Sequence, residues 1–269
     1  MFWNRWLNYF ISLPTLFTGI TNFPSVALYF LFNKKGISPV TLTMSDGAKL
    51  KVYTPMDVWT AKEIYLDKDY EHYGRSIQDG WVVIDIGAAF GDFVVLAAKQ
   101  NKKAKIYAFE PYPKYFKLLQ ENIATNKLKN VFAFPYAIGS KKKKLSLYVG
   151  SGEAVTFSTS SKLASNSSDV LSITAKSLEQ IFKEEKIKIC DFLKIDCEGG
   201  EYDIFFNTTD AIFARIRYIC MEYHDKITQY KGTDLAEFLE KKGFAVKVTV
   251  NPYRHETGFL YATNTRFKN

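Results

Sequence analysis

The sequence predicts an α/β fold in which a mostly parallel, twisted sheet carries helices on both faces. From residue 81 onward, apolar strand patterns alternate with helical patterns, and strands separated by helices form parallel sheets. The chain has 269 residues, of which 47% are hydrophobic and 24% are charged, so it can bury a sizeable core. A small-residue turn follows the first of these strands, where open parallel sheets bind their ligands.

The predicted elements follow one another in the order that this fold requires. The predicted strands span residues 81–86, 105–110, 130–136, 191–196 and 218–223, and FAVKVTV and GFLYAT form two final strands. The predicted helices span residues 91–100, 113–126, 176–186, 199–206 and 233–242. The alternation breaks where LSLYV and AVTFS flank a Gly-Ser-Gly-Glu turn, which predicts an inserted hairpin. The polar tract STSSKLASNSSD that follows is typical of mobile surface.

Residues 1–75 are predicted to form an N-terminal cap on a main domain of residues 76–269. Within the cap, residues 40–55 predict two short strands about an Asp-Gly turn, which is a strong hairpin signal. Residues 57–73 follow with a helical pattern of mixed polarity. The cap is therefore expected to combine short helices with one hairpin.

The stretch from residue 6 to residue 33 contains no charged side chain and is long enough to cross a membrane. Pro14, Pro24 and Gly19 divide it into short pieces with turn signals. The apolar run VALYFLF follows the small-residue site, whereas a signal peptide has the opposite order. A packed helical cap is favoured, a membrane-surface anchor is the alternative, and a true span is least favoured.

Charge and cysteine content narrow the class of protein. The net charge of +8 favours acidic partners such as nucleic acid, anionic glycans or an anionic membrane surface, although part of it is the KKKK run at 141–144. Cys190, Cys197 and Cys220 show no C-x-x-C spacing, which argues against a disulfide framework and a zinc knuckle. Reduced thiols and a cytoplasmic location are expected.

The turn after the first strand suits a cationic nucleoside better than a diphosphate. Its residues are Gly87, Ala88, Ala89, Phe90 and Gly91, which lack the G-x-G-x-x-G spacing of dinucleotide sites. Asp85 precedes the turn and Asp92 follows it, so a phosphate would be repelled. S-adenosylmethionine carries an ammonium and a sulfonium but no phosphate, and its methyltransferases have a similar D-x-G-x-[GA]-x-G turn. A tight turn required only for packing is the alternative.

The second and third strands strengthen the nucleoside interpretation. Glu110 ends the second strand, 25 residues after Asp85, where an acid can accept hydrogen bonds from both hydroxyls of a ribose. Pro111 stiffens the entry to the next helix. Tyr136 and Ala137 end the third strand, where an adenine would lie between apolar surfaces.

Four strings, VVIDIGAAFGDF, YAFEPYPKYFKLLQEN, FLKIDCEGGEYDIF and CMEYH, resemble those of the FkbM-type methyltransferases in order and spacing. Similarity in NFPSVALYF, MSDGAKLKV and DVWTAKEIYLDKDY extends the resemblance to residues 22–225, which favours a cap over a membrane span. The resemblance implies a Rossmann-like methyltransferase fold, S-adenosylmethionine as cofactor, and O-methylation of sugars or secondary metabolites. Ala89 and Phe90 depart from the pattern, because Asn and a smaller apolar residue are common there.

The resemblance also places Glu63 and Tyr70 near the cofactor, in the segment that would cover the crevice. The expected cofactor residues are Asp85, Gly87, Ala88, Ala89, Gly91, Asp92, Phe93, Glu110, Pro111, Tyr136, Ala137, Asp196 and Tyr70.

The reacting centre is predicted at the ends of the fourth and fifth strands. Side chains alternate along a strand, so Lys194, Asp196 and Glu198 share one side, as do Glu222 and His224. His224 is the predicted general base, because a neutral imidazole can accept a hydroxyl proton near pH 7, with Glu222 or Asp196 orienting it. Asp196 could instead contact the methionine amino group or help to bind a divalent metal, so the metal requirement stays open. Lys194 is equally well explained as a structural ion pair.

The predicted function is S-adenosylmethionine-dependent O-methylation of a hydroxyl on a sugar, a glycan or a small metabolite. The basic charge favours nucleic-acid amino methylation as an alternative, but KIDCEGG stands where such enzymes carry an Asn/Asp-Pro-Pro-aromatic turn. A non-catalytic module that binds RNA or an anionic membrane is a third hypothesis, with the N-terminal segment as a peripheral membrane contact. A nicotinamide-dependent dehydrogenase is least favoured, because the pyrophosphate turn is missing. The acceptor, the position methylated and the oligomeric state are not predicted.

Overall fold

The computed structural model of the protein describes residues 14–32, 38–140, 144–150, 157–158, 167–225, 227–251 and 256–267. The strands are β1 (Val40–Thr43), β2 (Lys49–Val52), β3 (Val82–Ile86), β4 (Lys105–Phe109), β5 (Val131–Phe134), β6 (Ala137–Ile138), β7 (Lys144–Gly150), β8 (Phe157–Ser158), β9 (Ser167–Lys176), β10 (Cys190–Ile195), β11 (Ile216–His224), β12 (Phe244–Val250) and β13 (Thr257–Asn264). The helices are α1 (Phe23–Phe32), α2 (Pro55–Ala61), α3 (Asp69–Tyr73), α4 (Asp92–Gln100), α5 (Pro113–Thr125), α6 (Leu178–Glu184), α7 (Glu201–Phe206), α8 (Asp210–Phe213) and α9 (Gly232–Lys241), with a π-helical turn at Lys62–Leu66.

A seven-stranded sheet within the described residues has the order β12-β13-β11-β10-β3-β4-β5. The strands from β11 to β5 in this order are parallel, whereas β13 is antiparallel to both β11 and β12. Apolar clusters lie on the two faces of the sheet, with α4 packed on one and α6, α7 and α9 on the other. This arrangement confirms the predicted α/β fold class.

The register of the parallel strands brings their carboxyl ends to one edge. Lys194 on β10 stands opposite Asp85 on β3 and opposite Cys220 on β11. Hydrogen bonds continue beyond the strands themselves, because Asp196 N donates to Ile86 O at 3.0 Å and Glu110 N donates to Phe134 O at 3.1 Å. The residues that follow the strands are therefore held in place by the sheet.

The strand pairing of the predicted inserted hairpin is present, although residues 151–156, which hold most of its turn and the start of its second strand, lie outside the described residues. A further strand joins this pair. β7 pairs antiparallel with β8 and with β9, and β6 pairs parallel with β9, in a separate four-stranded sheet ordered β6-β9-β7-β8. Residues 167–169 of the polar tract begin β9, whereas residues 159–166 of it lie outside the described residues. β9 forms because Ile173 and Ala175 alternate inward and pack against Leu147.

The third predicted strand is shorter than expected. β5 ends at Phe134, and Ala137 belongs to β6 in the separate sheet, so the placement of Tyr136 and Ala137 at the end of the third strand was wrong. Residues 135–136 are the bend between the two sheets. Pro135 is the one residue here that signals a turn, and the prediction of a strand over residues 130–136 passed through it.

The predicted hairpin of the cap is present as β1 and β2, with Val40 opposite Val52. It packs on the main sheet's helices through Asn122 of α5, whose side-chain amide donates to Lys51 O at 3.1 Å and accepts from Lys51 N at 2.7 Å. In α1, Val26 is buried, while Leu31 and Phe32 are 67% and 84% exposed. Among the described residues, no helix combines the length and apolar character that a membrane crossing needs. The domain boundary at residue 75 and the membrane-surface contact stay predictions.

Candidate active site

The parallel strands end at one edge of the sheet, called here the strand-end edge. The residues along it form two halves. The cofactor half comprises residues 85–92 and Glu110, at the ends of β3 and β4. The acceptor half comprises residues 196–201 and 222–224, at the ends of β10 and β11. Lys194 lies between the halves, and its Nζ is 3.0 Å from Asp85 Oδ1 and donates to Gly87 O at 2.8 Å.

The glycines of the turn are required by packing. Gly87 has φ +78°, and a Cβ there would overlap the carbonyl oxygen of Asp196, so only glycine lets the turn approach the end of β10. Gly91 has φ +91°, and its Cβ would lie 2.6 Å from Leu119 Cδ1. The packing explanation of the turn therefore accounts for both glycines. Their contact with a cofactor stays a prediction.

Glu110 is buried and held by the backbone on both oxygens. Its Oε2 accepts a hydrogen bond from Ala89 N at 2.8 Å, and its Oε1 accepts one from Tyr112 N at 2.8 Å. Burial raises the pKa of Glu110 to about 7, although these two hydrogen bonds oppose the rise. Each carboxylate oxygen keeps a second lone pair, so the group can still accept a hydrogen bond from a ribose hydroxyl.

Lys194 is buried and ion-paired with Asp85, so the structural explanation of this lysine is the one that the structure supports. Burial alone would lower the pKa of Lys194, but the surrounding Asp85 and Asp196 carboxylates raise it above its usual value. Asp92 is also buried, and burial raises its pKa to about 7. Within the described residues, Asp92 Oδ2 has no hydrogen-bond partner. Asp85 Oδ2 is a second such atom, so the cofactor half keeps at least two buried acceptor atoms for an added donor.

The acceptor half brings together the acids and the imidazole that the sequence placed at two strand ends. Asp196, Glu198 and His224 each offer one ligand atom, and these three atoms lie within 4.8 Å of one another. Tyr70 from α3 covers this half, and its hydroxyl donates to Asp196 Oδ2 at 2.9 Å. Burial raises the pKa of Glu222 to about 8, with Asp196 the next cause. The predicted juxtaposition of β10 and β11 is present.

His224 is 6% exposed and lies between two carboxylates. Its Nδ1 is 3.1 Å from Glu201 Oε1, and its Nε2 is 3.5 Å from Glu198 Oε2. Burial would lower the pKa of His224, but Glu201 and Glu198 raise it well above its usual value. This environment favours the charged form of the imidazole, whereas the general base predicted from sequence has to be neutral.

Glu201 is the site residue that sequence analysis did not assign. It is fully buried in the first turn of α7, and its carboxylate accepts from His224 N at 3.0 Å and from Gly199 N at 2.9 Å. The only sequence signal was its place as the last acid of the string KIDCEGGE. An acid in the first turn of a helix is explained equally well by the helix dipole, so nothing in the sequence distinguished it.

Several residues expected at the cofactor serve the core. Ala88 and Phe93 are each 1% exposed, and the Phe93 ring packs edge-on against Tyr70 with centroids 5.6 Å apart. Tyr136 is 8% exposed and packs against Phe109 with centroids 5.6 Å apart. Their direct contact with a ligand stays a prediction.

The acidic side chains at this edge of the sheet fit S-adenosylmethionine. Carboxylates of Asp85, Asp92, Glu110 and Asp196 converge there, and the lysine among them is already ion-paired. An ammonium, a sulfonium and two ribose hydroxyls match acidic acceptors, and the unpaired Asp92 Oδ2 is one of them. A diphosphate would meet like charge.

The chain matches known methyltransferases in sequence. The family model described as the methyltransferase FkbM domain matches residues 85–246. The chain is 24% identical over 217 residues to the 31-O-demethyl-FK506 methyltransferase FkbM of Streptomyces tacrolimicus, covering 71% of this chain and 83% of that protein. It is 25% identical over 223 residues to the AMB antimetabolite synthetase AmbE of Pseudomonas aeruginosa, covering 70% of this chain but only 10% of that protein.

A similar solved structure is that of methyltransferase FkbM from Methylobacillus flagellatus KT, with a TM-score of 0.47 and 15% identity, covering 76% of this chain and 53% of that chain. Since the family model spans more than half of the sequence, the chain belongs to the FkbM family of S-adenosylmethionine-dependent methyltransferases.

Proposed function

We propose that the enzyme transfers a methyl group to a hydroxyl oxygen of a small metabolite, a sugar or a glycan. The observation that carries the proposal is the acidic acceptor half, where Asp196, Glu198 and Glu222 surround His224 beside the cofactor half. A neutral hydroxyl can approach this surface, and a carboxylate there can take its proton. A polyanion such as nucleic acid would meet like charge at the reacting edge, although the chain as a whole is basic.

A relative supports an oxygen acceptor. The Streptomyces tacrolimicus protein is named for the methylation of 31-O-demethyl-FK506. Its acceptor is carried over here only as a chemical class, an oxygen of a natural product.

In the proposed arrangement, Glu110 binds the ribose hydroxyls, and Asp85, Asp92 and Asp196 provide the negative charge around the ammonium and the sulfonium. The bound cofactor supplies an activated methyl group. Tyr70 helps to exclude water, because its buried ring covers the edge and its hydroxyl holds Asp196. The remaining contribution of the protein is orientation of the acceptor.

The proton of the acceptor is proposed to pass to the ionised form of Glu222, which becomes the major form above its pKa of about 8. Within the described part of the chain this carboxylate has no hydrogen bond, so its lone pairs are available. His224 keeps a catalytic role beside it, but as a base it would first have to lose the proton that its two carboxylate neighbours hold.

The test combines a thermal shift with a labelled-methyl assay. S-adenosylhomocysteine should raise the melting temperature, because a ligand at 100 times its Kd stabilises the folded state by about 2.7 kcal/mol. Labelled S-adenosylmethionine is then offered with hydroxylated small molecules, glycans, RNA and DNA. Label in the first two classes supports the proposal. Label confined to RNA or DNA, or an unchanged melting temperature with S-adenosylhomocysteine, contradicts it.

A further inference from the structure

We propose that Asp196, Glu198 and His224 form a binding site for one divalent cation of the Mn²⁺ type. The three side chains come from the end of β10 and the end of β11, so one sheet holds all of them. The site itself stands on this geometry, whereas the role of the cation in methyl transfer rests on the proposed function.

The spacing of the ligand atoms fits a single cation. Two carboxylate oxygens and one imidazole nitrogen lie within 4.8 Å of one another. Ligand atoms bonded to a cation at roughly 2.0–2.6 Å stand about 3–5 Å apart around it. The Asp196 and Glu198 side chains are both partly exposed, so they are less closely packed than the buried His224.

The orientation of His224 is a second, independent indication. The His224 side chain is more than nine-tenths buried, and Glu201 Oε1 lies 3.1 Å from its Nδ1. This contact directs Nε2 toward Glu198, whose Oε2 is 3.5 Å away, longer than the roughly 2.7–3.2 Å of an N–H···O bond. A buried carboxylate on one ring nitrogen is the usual support for a histidine whose other nitrogen binds a metal, and here the cation would take the place of the Nε2 proton, which is released to solvent.

The contacts of Glu201 show what this residue does. Its carboxylate is fully buried and accepts from His224 N and Gly199 N, which ties the loop after β10 to the end of β11. It is therefore a positioning residue: it fixes the imidazole and the loop that carries Glu198, and it does not itself reach the cation.

Charge and coordination number define what the cation would do. Two carboxylates and one imidazole form a mixed oxygen and nitrogen set, which suits Mn²⁺ better than a thiolate-preferring metal. Three protein ligands leave coordination positions open. In the proposed O-methylation, those positions would hold the acceptor by its hydroxyl oxygens and lower the pKa of the reacting one, which favours acceptors with neighbouring hydroxyls such as sugars.

The experiment is a titration of the full-length protein with Mn²⁺, monitored by electron paramagnetic resonance without cofactor or acceptor. The wild type should bind one Mn²⁺ at micromolar concentration. Glu198→Gln, at a partly exposed side chain, and His224→Ala should each weaken binding at least 100-fold. Glu201→Gln should weaken it about 10- to 100-fold with all three ligands intact.

The matched control is Glu121→Gln, which removes a carboxylate of α5 that is ion-paired with Lys51 and belongs to neither half of the site. It should bind Mn²⁺ as the wild type does. Binding that is undetectable at millimolar Mn²⁺, or equally tight in wild type and Glu198→Gln, would overturn the proposal. Melting curves verify that each variant is folded.

Two further measurements separate this proposal from the proposed function. If Mn²⁺ binds at these residues but no hydroxyl compound is methylated, the site is supported and the O-methylation proposal fails. If methyl transfer to a hydroxyl proceeds after chelation and no Mn²⁺ binds, the function is supported and the cation site is refuted.

Discussion

The cofactor half and the acceptor half of the strand-end edge are both lined with acids, but they hold them differently. In the cofactor half, Glu110 accepts two backbone hydrogen bonds and Asp85 is paired with Lys194. In the acceptor half, Asp196, Glu198 and Glu222 face one another and a single imidazole. The first half is organised by the chain itself, while the second carries negative charge that an added cation would balance.

The difference shows which interactions fix the carboxylates of each half. The carboxylates of the cofactor half are fixed before any ligand arrives, because backbone donors and a buried lysine hold them. Those of the acceptor half depend on Glu201 and Tyr70, two groups from helices that pack on opposite sides of the sheet ends. Variants in the two halves should therefore fail in different ways.

The largest expected effect comes from Gly87, where the cofactor half lies closest to the backbone of the acceptor half. Gly87→Ala should destabilise the protein by about 3–5 kcal/mol, because a methyl group would overlap the backbone of Asp196 in a left-handed conformation. Gly80→Ala is the matched control, since φ is +84° there but nothing lies within 4 Å of a Cβ. It should cost only about 1–2 kcal/mol. Urea unfolding measures both, and equal losses would show that the close approach does not matter.

The next effect is confined to the acceptor half. His224→Ala should lower turnover about 100-fold or more, because the group that organises the acids beside the acceptor is lost. The Kd for S-adenosylhomocysteine, measured by calorimetry, should change less than about threefold. His72→Ala removes an exposed histidine of α3 and should leave both quantities unchanged. Wild-type turnover in the His224 variant would remove this residue from the reaction.

The reverse pattern is expected in the cofactor half. Glu110→Ala should weaken S-adenosylhomocysteine binding about 10- to 100-fold, because the ribose hydroxyls lose a charged acceptor worth roughly 1.5–3 kcal/mol. Turnover at saturating cofactor should fall much less than in the His224 variant. Glu110→Gln retains an acceptor oxygen and should lie between the wild type and the alanine variant. An unchanged Kd in Glu110→Ala would discredit the ribose assignment.

The position of the acids could be predicted from sequence, whereas their protonation could not. The alternation of side chains along strands places Asp196 and His224 at the ends of the fourth and fifth strands, and the pairing of β10 with β11 supplies the adjacency that the sequence-based prediction assumed. The charge on His224 depends on Glu201, which comes from the following helix, and on a burial that only packing sets. The end of β5 and the strand β9 were missed for a related reason, because their partners lie in a separate sheet. Local patterns report an element's own period, not which sheet it joins.

A pH series sharpens the comparison at smaller amplitude. The pKa of Glu110 is about 7 without ligand, and ribose hydroxyls that donate to the carboxylate would favour its charged form. Binding therefore releases a proton, so affinity for S-adenosylhomocysteine should increase as pH rises from 6 to 8, by at most about tenfold per unit below the pKa. Glu110→Gln should lose most of this dependence, and the remaining slope would report Asp92, whose pKa is also about 7. Affinity that falls with rising pH would contradict a charged ribose acceptor.

The smallest expected effect tests how firmly the cofactor half is organised. Ala89 has φ +45°, a left-handed conformation that costs a residue with a Cβ roughly 1–2 kcal/mol, yet its N–H donates to Glu110. Ala89→Gly removes that strain but adds freedom to the unfolded chain, so the gain in the free energy of unfolding should be about 0.5 kcal/mol and no more than about 1 kcal/mol. Chemical denaturation measures it, with the Kd for S-adenosylhomocysteine unchanged. A loss of stability would mean that the Ala89 methyl group makes contacts worth more than the strain, and the turn would then be held by side-chain packing as well as by Glu110.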